Sequence, residues 1–66
     1  MKVYYDKATD SLYVRLTDSP IKESEEVRPG IVLDFDAQDR VVSLEVRSVS
    51  KQLPDADVGK LQLEVA

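Results

Sequence analysis

The chain has 66 residues and a formal net charge of −4, and it contains neither cysteine nor histidine. This length predicts one domain over residues 1–66, and the missing residue types exclude disulfides, soft-metal sites and nucleophiles activated by histidine. The nine Lys and Arg residues are not clustered, so we expect no nucleic-acid partner. We also expect no cofactor, no metal and no membrane partner. The lack of cysteine and of a signal peptide predicts a cytoplasmic location.

The N-terminal segment predicts a β-hairpin whose loop spans residues 7–10. Alternate residues of a strand share a face, so the register that gives one apolar face also places two tyrosines together on the other face. The predicted cross-strand pairs are Tyr5–Leu12, Tyr4–Tyr13 and Val3–Val14. Asp6 and Asp10 flank the loop, where short carboxylates accept hydrogen bonds from turn amides.

The segment after Leu16 predicts a turn, a polar strand and a second turn. Asp18-Ser19-Pro20 is a turn cluster, and residues 21–27 alternate too weakly for a central strand. Charged residues suit the edge of a sheet because they resist pairing with another chain. The charges of this strand are Glu23, Glu25 and Glu26. Pro29 followed by Gly30 predicts a type II turn.

Residues 31–46 predict a second hairpin with a two-residue turn at Gln38-Asp39. Asp39 then occupies a position of positive φ that usually favours glycine. The predicted pairs are Phe35–Val42, Leu33–Leu44, Ile31–Val46 and Asp34–Ser43. Three aspartates near the turn do not match the spacing of a calcium loop, and a solvated hairpin tip explains them better.

The C-terminal third predicts less regular structure. Residues 48–53 predict one helical turn that is capped by Ser48 and ends before Pro54. Leu61, Leu63 and Val65 alternate with polar residues, which indicates a last strand. The fold class is therefore mainly β: an antiparallel meander sheet of four to six strands with at most one short helix near residues 48–53. The alternative is an α+β fold with a C-terminal helix, over residues 55–65, packed on one sheet face.

Several of these segments together resemble a family of small bacterial stand-alone proteins of unknown function. The resemblance begins with the Tyr-Asp-x-x-x-Asp-x-Leu-Tyr-Val-Arg-Leu opening at residues 5–16 and closes at Ser50-Lys51. Between these it runs through residues 25–27, 30–36 and 41–46. The chain departs from the family pattern at Asp39, where the family generally has glycine. Some relatives are encoded beside small toxin-like proteins, and the resemblance therefore implies an antitoxin-type role as one alternative.

The apolar residues of the predicted strands share one face, and this face must be covered. Within the chain only the C-terminal segment can cover it, and neither a disulfide nor a zinc site can stabilise so short a chain. We therefore expect a non-enzymatic protein-interaction module that self-associates as a homodimer, by stacking faces or by exchanging C-terminal segments. A further small-protein partner would meet the acidic residues Glu23, Glu25 and Glu26 or the acidic C-terminal half of the chain. The remaining alternative is a structural unit whose only partner is itself.

A carboxylate- and tyrosine-based enzyme is a further hypothesis. Its candidates share the face opposite the apolar one: Tyr4, Tyr13, Arg15, Asp34 and Glu45. Opposed strands bring such residues together in any sheet, so we expect no catalytic site here. The two tyrosines are expected to be half-buried sheet residues, and Arg15 and Arg47 to form ordinary surface ion pairs.

Overall fold

The computed structural model describes all residues from 1 to 66 and shows one antiparallel sheet with a short helix. This confirms the mainly β class and the helix expected near residues 48–53. The elements are β1 (Lys2–Asp6), β2 (Ser11–Arg15), β3 (Glu23–Arg28), β4 (Ile31–Phe35), β5 (Val41–Val46) and α1 (Val49–Gln52). No helix has the length and apolar character that crossing a membrane would require.

The strand order is β1-β2-β5-β4-β3, which differs from an uninterrupted meander. Strands β3, β4 and β5 form a meander, but β2 pairs with β5 rather than with β3. The connection over residues 16–22 therefore carries the chain past β5 and β4 to the far edge. This order places the buried strand β5 at the centre and the charged strand β3 at an edge, as the composition of β3 predicted.

The first hairpin has the predicted register. Tyr5 pairs with Leu12, Tyr4 with Tyr13 and Val3 with Val14, and a turn occupies residues 7–10. The type II turn is also supported, since Gly30 has a φ of 80°. A side chain there would meet the Gln52 amide, because a Cβ on Gly30 would lie 2.5 Å from Gln52 Nε2.

The second hairpin is wider at its tip than predicted. The backbone N–H of Asp36 donates to the carbonyl of Arg40 at 3.0 Å, so the loop contains three residues, 37–39, rather than two. Asp39 has a φ of 60° and supplies the left-handed residue that such a loop requires. The pairs at Ile31, Leu33 and Asp34 are as predicted.

A β-bulge corrects the last predicted pair of this hairpin. Phe35 pairs with Val41 instead of Val42, because the register shifts by one residue after Asp34. The backbone carbonyl of Val42 accepts hydrogen bonds from the N–H groups of both Leu16 and Thr17, at 2.8 and 3.3 Å. The Val42 carbonyl at the β-bulge is thus the hydrogen-bond acceptor for the backbone at the start of the connection.

The buried apolar core consists of four valines: Val32, Val42, Val46 and Val49. Leucine, isoleucine and phenylalanine side chains remain partly exposed, including Leu33, Phe35 and Leu44 on the apolar face. Most apolar side chains of the strands share that face with β3 residues Glu23 and Glu25, which pair with Phe35 and Leu33. The sheet therefore has little intramolecular cover on its apolar side.

The C-terminal segment, residues 53–66, forms neither a strand nor a helix. The predicted last strand is therefore wrong, and so is the alternative helix over residues 55–65. A local turn explains part of this, because Asp57 accepts hydrogen bonds from the N–H groups of Gly59 and Lys60. Leu61, Leu63 and Val65 are 73%, 84% and 89% exposed.

Adjacent valines at the bulge offer a matched test of the core. Val42 has no exposed surface, whereas Val41 is 38% exposed. We expect Val42→Ala to lower the free energy of unfolding by about 2 kcal/mol, because it removes two buried methyl groups and leaves a cavity. Val41→Ala should cost less than about 1 kcal/mol. Urea unfolding of both variants measures this, and equal losses would contradict the observed packing of β5.

Candidate functional site

The face opposite the apolar one is organised as two rows of side chains that cross all five strands. Residues paired across neighbouring strands project from the same face, so each row follows from the register. The first row, from β1 to β3, contains Lys2, Arg15, Ser43, Asp34 and Ser24. The second contains Tyr4, Tyr13, Glu45, Val32 and Glu26. We call this surface the polar face.

A buried carboxylate stands in the first row. The Asp34 carboxylate accepts a hydrogen bond from Ser24 Oγ on one oxygen and from Ser43 Oγ on the other, each at 2.5 Å. The Tyr13 hydroxyl donates in turn to Ser43 Oγ at 3.2 Å. This chain of hydrogen bonds joins four adjacent strands, from β2 to β3, and leaves no buried side-chain polar atom without a partner.

An arginine outside the rows links two carboxylates of the second row. Arg47 lies 3.6 Å from Glu26 on β3 and 3.6 Å from Glu45 on β5. Val32 lies between these two glutamates on β4, and it is buried although it faces the polar side. The expected surface ion pairing of Arg47 is confirmed.

Arg15 does not form the expected ion pair. Its Nε donates to the carbonyl of Thr17 at 2.7 Å and its Nη2 to the carbonyl of Ser19 at 2.8 Å. These bonds place the start of the connection over the polar face. They arise because the chain turns back directly after β2, which brings unpaired carbonyls within reach of the guanidinium.

An open groove of about 370 Å³ lies at the β1–β2 end of the polar face. Lys2 and Arg15 line it from the first row, Tyr4 and Tyr13 from the second, and Asp18 from the connection. Lys2 has no ion pair, and Tyr4 is 59% exposed, so the expectation of a half-buried residue is wrong for Tyr4. Tyr13 is half-buried as expected.

Asp10 has a wider role than the predicted turn. Its carboxylate accepts the Tyr5 hydroxyl at 2.7 Å, and its other oxygen accepts the backbone N–H and the hydroxyl of Ser50 at 3.0 and 2.6 Å. Its backbone carbonyl accepts the N–H of Val49. Asp10 therefore caps α1, whereas Ser48, the predicted cap, makes no side-chain capping bond. Asp6 does accept the turn amide of Ala8, as predicted.

These hydrogen bonds shift the pKa values of Asp10 and Tyr5 in opposite directions. The bonds from the Ser50 hydroxyl, the Tyr5 hydroxyl and the Ser50 amide lower the pKa of Asp10 below its usual value. Donation to Asp10 raises the pKa of Tyr5. The pKa of Asp36 is also lowered, chiefly by the backbone N–H of Arg40, with the N–H of Gln38 and the Arg40 guanidinium adding to the effect. Both aspartates therefore stabilise the fold in their ionised form.

The predicted partner-binding glutamates are divided between the two faces. All three are exposed on the edge strand β3, but Glu23 and Glu25 project from the apolar side and Glu26 from the polar side. The five enzyme candidates do share the polar face, as their parity predicted. Tyr4, Tyr13 and Arg15 meet in the groove, while Asp34 and Glu45 are held in the bonds described above.

Sequence reasoning did not identify Lys2 and Asp18 as part of this groove. Lys2 could have been found, because the predicted register of the first hairpin, extended by one pair beyond Val3–Val14, places it opposite Arg15. Asp18 could not, since only the path of the connection brings it there.

Comparison with known families adds one result. Residues 2–50 match the model of a protein family of unknown function, DUF2283. The chain belongs to the DUF2283 family. The DUF2283 match covers all five strands and ends within α1, so the segment that follows α1 lies outside it. No curated protein and no solved structure matches the chain.

The lowered pKa of Asp10 predicts a specific response to acid. A carboxyl whose pKa is lower in the folded than in the unfolded chain stabilises the fold above the unfolded value, here 3.8. That contribution is lost as the pH falls through the lower folded value. Wild-type stability should therefore decline below about pH 4, and Asp10→Asn, already less stable at neutral pH, should decline less steeply.

Thermal unfolding followed by circular dichroism between neutral and acidic pH measures this difference. Asp55→Asn is the control, because the Asp55 carboxylate makes no hydrogen bond or ion pair and its loss should leave the acid response unchanged. An Asp10→Asn variant with the full wild-type decline would contradict the assignment.

Proposed function

We propose that this chain is a non-enzymatic protein-interaction module that self-associates through the apolar face of its sheet. The observation that carries this proposal is the exposed surface. The chain exposes 5340 Å², whereas a folded monomer of 7.4 kDa exposes about 4,200 Å². The excess of about 1,100 Å² is larger than the roughly 800 Å² that each partner buries in a stable interface. The C-terminal segment contributes to it, since Leu61, Leu63 and Val65 are 73%, 84% and 89% exposed.

The apolar side chains that remain partly exposed on the sheet favour a second copy as the occupant of this face. On the β1–β2 side, residues 53–61 leave a groove of about 420 Å³ against Val3, Tyr5 and Leu12. On the β4–β5 side, Leu33 and Leu44 pair directly and remain partly exposed. Stacking two such faces about a two-fold axis places apolar residues against apolar residues, as an isologous interface requires.

The small core supports the same proposal. A chain without cysteine or histidine has no disulfide and no histidine-containing metal site to supplement a core of four valines. The radius of gyration, 12.6 Å, exceeds the roughly 11 Å that is typical of a compact chain of this length. Burial of the apolar face in a dimer would supply the missing apolar contacts.

Leu33→Lys tests the interface. We expect wild-type protein to sediment at twice its monomer mass, with a melting temperature that falls on dilution. Leu33→Lys should weaken dimerisation at least about 100-fold, because an unpaired ammonium in an apolar interface costs several kcal/mol. Tyr4→Lys, on the opposite face, is the matched control and should leave the dimer intact.

The wild-type protein alone also tests the proposal. A strictly monomeric species whose cooperative unfolding does not depend on concentration would contradict it, even if Leu33→Lys fails to fold.

The acidic edge supports a second candidate function, the binding of a basic protein in the manner of an antitoxin. Strand β3 is an edge, and its glutamates project from both faces beside unpaired backbone groups. A basic partner could add a strand to this edge and pair with the carboxylates.

The double variant Glu23→Lys/Glu25→Lys tests this second candidate. When the tagged wild-type chain is purified from its host, a basic protein should copurify at fixed stoichiometry. The double variant should not retain this protein. The control Asp55→Lys/Asp57→Lys, which changes the net charge by the same amount, should retain it. Retention with both double variants would remove the charge argument.

The polar face supports a structural role for the enzyme candidates rather than catalysis. Both oxygens of Asp34 accept serine hydroxyls, and two nitrogens of Arg15 donate to backbone carbonyls. These groups hold strands and a connection in place. Their hydrogen bonds with the protein leave little capacity for proton transfer to a substrate.

A further inference from the structure

We propose that the groove at the β1–β2 end of the polar face binds a small aromatic phosphate of the nucleoside monophosphate class. The groove has a volume of about 370 Å³, at the small end of the range for ligand sites. Two cations and two tyrosines line it side by side. It lies on the face opposite the proposed dimer interface and does not depend on that proposal.

The two cations are arranged in a way that an anion would stabilise. Lys2 and Arg15 are directly opposite one another across β1 and β2, a placement that is unfavourable for like charges. Neither has a carboxylate within ion-pair distance, although the chain as a whole is acidic. A phosphate between them would offset the repulsion and accept hydrogen bonds from both.

Arg15 is positioned before any ligand arrives. Its Nε and Nη2 are held by the carbonyls of Thr17 and Ser19, which leaves Nη1 without a partner in the protein. A guanidinium fixed in this way loses little conformational freedom on binding, and this favours affinity. Lys2 is exposed on the edge strand β1, and its long side chain can adjust to the phosphate.

The tyrosines supply the surface for an aromatic ring. Tyr4 and Tyr13 are paired across β1 and β2, one residue row away from the cations. The Tyr13 hydroxyl is held by Ser43, which Asp34 holds in turn, so this ring has a fixed position. Stacking of a base on an aromatic side chain contributes about 1–3 kcal/mol.

The size and charge of the groove favour a mononucleotide over a nucleic acid. Two cations are too few to bind a polymer of phosphates, and the net charge of −4 repels one. Asp18 at the rim accepts hydrogen bonds, so it suits an amino group of a base or a ribose hydroxyl. Asp18 repels any phosphate, and this repulsion grows with the number of phosphate groups, so a monophosphate is favoured over a di- or triphosphate.

Titration of ¹⁵N-labelled full-length protein with adenosine 5′-monophosphate tests this proposal by NMR. We expect amide shift changes centred on Lys2, Tyr4, Tyr13 and Arg15, with saturation at millimolar nucleotide. Inorganic phosphate and adenosine, titrated separately, should each bind at least tenfold more weakly. Raising the salt concentration should weaken the nucleotide complex.

Two exposed residues of the groove provide the variants. Lys2→Gln and Tyr4→Ala should each weaken binding at least fivefold. Lys51→Gln, which removes one positive charge on α1 away from the groove, should leave the affinity for the nucleotide unchanged. An absence of shift changes at millimolar nucleotide, or changes centred elsewhere, would overturn the proposal. Equal affinity for inorganic phosphate, or for adenosine, would also overturn it, because both halves of the groove must contribute.

Discussion

The hydrogen bonds that Asp10 accepts connect the first hairpin to α1 at one end of the sheet. Tyr5 donates to Asp10 from β1, while Ser50 and Val49 donate to it from α1. At the other end of α1, the side-chain amide of Gln52 donates to the carbonyl of Pro29 in the β3–β4 turn, at 2.6 Å. The four-residue helix thus bridges the first hairpin and the β3–β4 turn. A helix so short has little stability of its own, and these contacts hold it in place.

This connection accounts for several local features that otherwise have no explanation. Asp10 and Ser48 both adopt positive φ, which costs energy for any residue except glycine. The hydrogen bonds at Asp10 and the burial of Val49 offset that cost. Gly30 supplies the φ of 80° that the β3–β4 turn requires, and the Gln52 amide lies where a Cβ would be. The opening motif and the residues near position 50 therefore belong to one structural unit, and the DUF2283 match spans both.

Strand pairing could be predicted from the sequence where alternation was strong. In both hairpins apolar and polar residues alternate, so a one-residue slip would move the apolar side chains to the opposite face. This alternation fixes the register. The bulge at Val42 could not be predicted, because it depends on the return of the long connection to β5. The capping of α1 by Asp10 links residues far apart in the chain, and no local signal indicates it. The C-terminal segment alternates like a strand, but Asp57 and Gly59 form a turn and no neighbouring strand pairs with it.

The candidate functional residues show the same contrast between local geometry, which the sequence predicts, and contacts between distant segments, which it does not. Parity correctly grouped Tyr4, Tyr13 and Arg15 on one face, because parity depends only on local strand geometry. It did not indicate that Arg15 is held by the connection, since that depends on the path after β2.

The two faces of the sheet impose different requirements, and the proposed functions follow from this division. The apolar face has little cover within the chain, so the proposed contacts with a second copy would stabilise the fold itself. The polar face satisfies its buried groups internally, through Asp34 and its serine donors, and can remain open to solvent. A dimer formed by stacking apolar faces would therefore direct its two grooves outward, on opposite sides of the assembly. Each groove is built within a single protomer, so ligand binding at one should leave the dimer interface and the other groove unaffected.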